Sequence, residues 1–215
     1  MDIKIKPTWQ MTHNQSIALA YCVKFSAFLS NAGSVIVCYQ ILAPERRNAM
    51  LKTMYNRIVL TISLMDIIGS LAAFMSTWPI PSDTLHDEWI YGNIGNQTTC
   101  NIQGYFIQSA ALSAGSATAI LCLYFMLVVR YNWSERRLKK VEMGLRGVIV
   151  YNFIISFIPL LGKGYNPIPY MCWIQSYPID CDTSDEYECL RGDNAQLLRT
   201  VSFAVFLIIL SIIMV

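Results

Sequence analysis

The chain has 215 residues, 54% of them hydrophobic and 14% charged, with a formal net charge of +2 and a mean hydropathy of +0.41. Soluble domains carry about 25% charged residues, so too little polar chain remains to cover a water-soluble helical core of this size. Two histidines, His13 and His86, and no HExxH, GxSxG or glycine-rich phosphate loop leave no set of groups for transfer chemistry or for a cofactor. The sequence does not read as an enzyme.

Apolar blocks at 17–41, 57–80, 102–129, 145–161 and 196–215 do not alternate as membrane strands do. A helix needs about 20 mostly apolar residues to cross the hydrocarbon. The prediction is an all-α, polytopic transmembrane bundle, with helices at about 17–41, 57–80, 102–130, 144–162 and 196–215 behind a short N-terminal segment, 1–16. Those first residues hold no apolar stretch of signal-peptide length, so helix one must act as its own insertion signal.

Helix one carries Lys24 and Asn31. Helix two, around "LTISLMDIIGS" (60–70), sets Ser63, Asp66 and Ser70 on one face. Trp78 and Trp89 flank its outer end and suit interfacial anchoring. Helix three carries Gln103 and Gln108 near its outer end, then the small-residue run "SAALSAGSATA" (109–119), with Ser109, Ser113 and Ser116 aligned, which lets helices approach closely. The fourth block, "GVIVYNFIISFIPLLG" (147–162), is short and must borrow from its flanks. Ahead of helix five, "RGD" at Arg191–Asp193 matches a short integrin ligand, but "GDN" before an apolar run reads better as a helix N-cap.

Ten basic residues fall in the segments after helices one and three: Arg46, Arg47, Lys52, Arg57, Arg130, Arg136, Arg137, Lys139, Lys140 and Arg146. Five fall on the other side: Lys4, Lys6, Lys163, Arg191 and Arg199. Cytoplasmic loops carry the Lys/Arg excess, so the N-terminus is expected outside, and the basic face suits anionic lipid or an acidic partner better than nucleic acid. Cys22, Cys38 and Cys122 lie within helices, while Cys100, Cys172, Cys181 and Cys189 all fall on the outer side, where disulfides persist. Four cysteines allow three pairings. The favoured one joins Cys100 to Cys172 and Cys181 to Cys189, with free thiols as the alternative. Of three sequons, at Asn14, Asn96 and Asn132, Asn96 is the expected glycosylation site; Asn14 sits almost at the membrane and Asn132 is on the inner side.

A lone Asp in helix two, a Cys opening a long third helix, "MCWIQSYPIDC" (171–181) in the second outer loop, and basic segments after helices one and three go together. This set resembles a seven-helix G-protein-coupled receptor. Cys172-Trp173 and Leu123-Tyr124 carry a narrower match to the cyclic-AMP-receptor-like group, which borders the secretin-type receptors. The resemblance covers about 17–215 and implies an unknown extracellular ligand, a heterotrimeric G protein facing Arg130, Arg136, Arg137, Lys139 and Lys140, and a plasma-membrane location. It also implies two further helices, so the chain reads as a fragment ending in helix five. The acidic-Arg-aromatic triplet that ends helix three in rhodopsin-like receptors is here Val129-Arg130-Tyr131, without the acid.

Charges deep in a bilayer cost on the order of 3 kcal/mol and seek partners. Counted from the inner ends at about 1.5 Å per residue, Asn31 and Asp66 both lie roughly 14–15 Å deep and can meet. Lys24 lies roughly 25 Å up, so it snorkels outward or faces an outer pocket. The resemblance implies a water network between Asn31 and Asp66, with Ser113 or Ser116 as further donors and a sodium ion possible at Asp66. A neutral Asp66 shared between helices is the alternative. Lys24, Gln103, Gln108 and Trp173 are the candidates for a ligand pocket at the outer ends of helices two, three and five. Competing readings are a secondary transporter, against which no internal repeat is visible, and a truncated five-helix membrane protein without signalling activity.

Overall fold

The computed structural model describes residues 12–84, 90–179, 181–182 and 188–214. Helix α1, His13–Leu42, opens on a capping box: Gln15 N–H donates to the Thr12 hydroxyl, and Thr12 N–H donates to the Gln15 side chain. It stops at Ala43 because Pro44 pushes the preceding residue into an extended conformation. A single turn, α2 (Arg47–Met50), leads into α3, Met54–Phe74. Helix α4 spans Gln97–Val129, α5 spans Glu135–Ile155, and α6, Ile158–Leu161, continues α5 after a break. Strands β1 (Tyr165–Ile168) and β2 (Met171–Ile174) form a hairpin, and α7 covers Ala195–Met214.

Four helical stretches are long and apolar enough to cross a membrane: α1, α3, α4 and the α5–α6 unit. Their apolar side chains are not spent on an internal core. Phe25 is 65% exposed, Tyr39 73%, Ile154 63% and Leu161 76%. An apolar exterior of this kind suits a hydrocarbon surrounding, and with four helices of spanning length it marks the chain as membrane-associated.

Helix α4 is the axis. It touches α3, α5, α7 and both strands, while α3 is sandwiched between α1 and α4. One end of the bundle is closed by Met54, Ile58, Ala117, Ile120, Leu127, Leu138 and Leu145 from α3, α4 and α5. The other end is closed by Ile80, Ile90, Cys100 and Cys172, with Tyr165, Ile174 and Ala195 beside them. The Tyr165 ring packs on α4 at Gly104, where any Cβ would collide with it.

Three expectations are corrected. Helix two ends at Phe74 rather than 80: buried Ser76 turns left-handed (φ 48°), and Pro79 and Pro81 forbid helix beyond. The chain then runs through successive turns, and Gly95 N–H donates to the Ile80 carbonyl at 2.9 Å. Helix four begins at Glu135, not 144, and breaks at Ser156 rather than reaching 162 unbroken. Its charged first half is helical because Leu138 and Leu145 are buried against the bundle. The break has a local cause: Pro159 has no N–H to give the Ile155 carbonyl, and the freed Ser156 carbonyl accepts the Tyr165 hydroxyl at 2.8 Å. The hairpin is the element the all-α expectation did not contain; its antiparallel register pairs Tyr165 with Ile174 and Ile168 with Met171. Helix five matches, starting at Ala195.

Candidate functional site

The polar side chains sort into three groups along the bundle. At one end, Cys100 in the first turn of α4 is bonded to Cys172 on β2, with their Cα atoms 5.3 Å apart. Cys181 is bonded to Cys189, Cα atoms 5.2 Å apart. Both favoured pairings are therefore present, and Cys22, Cys38 and Cys122 are free. Asn96 caps α4, its side chain accepting from Thr99 N–H at 3.0 Å while the residue stays exposed.

The four pocket candidates do not converge. Gln103 is fully committed: its Nε2 donates to the carbonyls of Ala72 (3.0 Å) and Ser76 (2.8 Å), and its Oε1 accepts from Cys172 N–H (2.9 Å). It is a clamp holding the end of α3 and β2 to α4, not a free ligand group. Gln108 and Trp173 are brought together, the indole N–H donating to Gln108 Oε1 at 2.7 Å. Lys24 lies apart on α1, its ammonium 3.8 Å from the centre of the Trp78 ring. Trp78 thus has a cation partner. Trp89 and His86 lie outside the described residues, and His13 packs edge-on against Tyr91.

The "RGD" segment is not a free ligand loop. Arg191 binds the Gln97 side chain and stacks over Tyr177 at 4.6 Å, and a Cβ on Gly192 (φ 70°) would meet the Gln175 carbonyl. The side chain that caps the first turn of α7 comes from elsewhere: Asp182, next to the Cys181–Cys189 bond, accepts from Gln196 N–H at 2.9 Å.

In the middle of the bundle, the predicted quartet of Asn31, Asp66, Ser113 and Ser116 is split. Asn31 donates to Ser70 Oγ at 3.0 Å and to the Ile67 carbonyl at 3.4 Å, not to Asp66. The depth count misses by about one turn, roughly 5–6 Å, since Asn31 meets the turn of α3 that carries Ser70. Asp66 instead lines a cavity of about 490 Å³ between α1, α3 and α4, shared with Ser26, Ser30 and Ser70. Ser116 accepts from Asn152 Nδ2 at 3.1 Å, a bridge between α4 and α5, and Ser113 is buried with its hydroxyl unpartnered among the described residues. The oxygen set expected around a sodium ion is therefore not assembled, and no cluster of His, Cys, Asp and Glu among the described residues could hold a metal.

At the far end, Arg130, Arg136, Arg137, Lys139 and Lys140 are all exposed. Beneath them is a charge network that sequence reasoning missed. Arg57 Nη2 lies 2.8 Å from Glu142 and 3.9 Å from Glu135, and Glu142 also holds Arg146 at 2.7 Å. Arg57 further donates to the Leu51 and Lys52 carbonyls at 2.6 and 2.9 Å, pinning the loop before α3. The Glu142-x-x-x-Arg146 spacing was a visible signal; the reach from α5 to Arg57 was not. Asn152, a single amide in an apolar run, was equally visible as a residue needing a partner.

No protein-family model, no curated protein and no solved structure matches this chain.

Proposed function

We propose that this chain is a receptor of the seven-helix G-protein-coupled type, or the larger part of one. In this reading an extracellular ligand acts at the disulfide-held end, and the exposed basic end meets a heterotrimeric G protein. The observation that carries the reading is the Cys100–Cys172 bond, which ties the first turn of the long third spanning helix to the hairpin before α7. That tie joins one end of α4 to the loop region where a ligand would arrive, which suits a bundle with two states biased from outside. The N-terminus faces outward, as the distribution of Lys and Arg favours, and the receptor reading places the chain in the plasma membrane. Arg136, Arg137, Lys139 and Lys140 form the positive face that an acidic partner would meet.

The test is nucleotide exchange. The chain in lipid nanodiscs is incubated with a panel of purified heterotrimeric G proteins, and exchange is compared with empty nanodiscs. Acceleration of one G protein, lost when Arg136, Arg137, Lys139 and Lys140 are all replaced by Glu, is expected. No acceleration of any G protein, or acceleration indifferent to the charge reversal, refutes the proposal.

A further inference from the structure

A groove of about 580 Å³ opens between α3 and α4 at the end that carries the Cys100–Cys172 bond. Its walls are Leu71, Met75, Ile102 and Phe106 and its rim is Trp78 and Ile94, and all six are exposed. Besides the Trp78 indole at the rim, two polar side chains reach it, Gln103 and Thr99, and both are spent. Gln103 makes the three hydrogen bonds described above, and Thr99 Oγ1 donates to the Pro79 carbonyl at 2.8 Å while accepting from Asn96 N–H. Among the described residues the groove therefore offers a bound molecule no free side-chain hydrogen-bonding group apart from the Trp78 indole at its rim. Its size falls within the range of ligand sites, but its chemistry suits hydrocarbon.

Among the described residues, the charge placed at this rim is Lys24, whose ammonium rests on the Trp78 ring. Among the described residues no carboxylate lies within 4.0 Å of it. A cation–π contact places this ammonium without neutralising it. An uncompensated cation beside the mouth of an apolar groove, on a surface that hydrocarbon must cover, is complementary to a molecule with an acyl chain and an anionic head.

We propose that this groove is a binding site for an anionic membrane phospholipid, its acyl chain between α3 and α4 and its phosphate at Lys24. The site is separate from the basic far end and does not depend on the signalling reading.

The experiment uses the full chain in nanodiscs with two photoreactive probes of equal chain length, each carrying a diazirine on the acyl chain. One is a phosphatidic acid and the other a phosphatidylcholine. Peptide mapping after irradiation should place the phosphatidic acid label on 68–79 of α3 and its following turn and on 99–106 of α4. Lys24→Gln should reduce that label about fivefold, the factor for one basic residue near an anionic head group, and leave phosphatidylcholine labelling unchanged. Ala72→Phe, which fills the groove, should reduce both labels. Label spread evenly over the outer faces of α1, α3 and α4 would overturn the site. Label confined to the groove but insensitive to Lys24→Gln would overturn the anionic specificity. Retention of the Cys100–Cys172 bond in both variants controls for folding.

Discussion

Glu142 is the centre of the charge network at the basic end, and its two partners should be worth very different amounts. Its side chain is 13% exposed, Arg57 is 23% exposed and Arg146 is 74% exposed. A hydrogen bond to a charged group contributes about 1.5–3 kcal/mol when sheltered, whereas an exposed i,i+4 pair contributes about 0.3–0.5 kcal/mol. The coupling between Glu142 and Arg57 should therefore be about 1.5–2 kcal/mol, because Arg57 keeps its carbonyl bonds to Leu51 and Lys52 in either case. The coupling between Glu142 and Arg146 should stay below about 0.5 kcal/mol. Two double-mutant cycles measure this, Glu142→Gln with Arg57→Met and Glu142→Gln with Arg146→Met, followed by equilibrium unfolding in mixed micelles. Raising the salt should weaken the Arg146 coupling first, since exposed pairs are screened more than sheltered ones. Equal couplings, or no coupling to Arg57, would refute the placement of α5 against α3.

Two further substitutions test packing. Gly104→Ala drives a methyl into the Tyr165 ring and should cost about 1–3 kcal/mol in the same unfolding assay, the usual penalty for overpacking. In a Tyr165→Ala background that cost should vanish, and persistence would contradict the ring's position. Asn152→Leu removes the bridge to Ser116 and should cost about 0.6–1.7 kcal/mol, as interhelical hydrogen bonds in membranes do. The same change in a Ser116→Ala background should cost clearly less, and an undiminished cost would contradict the bridge.

How much of this was legible in the sequence depends on the kind of signal. Five helices follow from the length of apolar runs, a local property that hydropathy reads directly. Cys100 and Cys172 pair as favoured because topology already put them on one side. Boundaries failed where one residue overrules hydropathy: Trp78-Pro79-Ile80 is apolar, yet Pro79 ends any helix there. The stretch Glu135–Arg146 looked too charged for a spanning helix and is helical because one stripe of it, Leu138 and Leu145, meets the bundle. The intramembrane partners were the least legible part. Asn31 reaches α3 and Asp66 lines the cavity between α1, α3 and α4, but their pairing depended on a depth count blind to helix stagger and to the direction each side chain faces. Gln103 shows a related limit, since a buried amide reads the same from sequence whether it serves a ligand or three backbone groups.

The account's central claim is that this chain spans a membrane with its disulfide-held end outside. The sequons at Asn96 and Asn132 flank α4, whose 33 residues span about 50 Å, so they report on opposite ends of one helix. Expression in a glycosylating eukaryotic membrane system, with Asn96→Gln and Asn132→Gln compared by endoglycosidase-sensitive mass shift, reads both at once. A shift that Asn96→Gln abolishes and Asn132→Gln leaves intact is predicted; sugar on Asn132 would contradict the account.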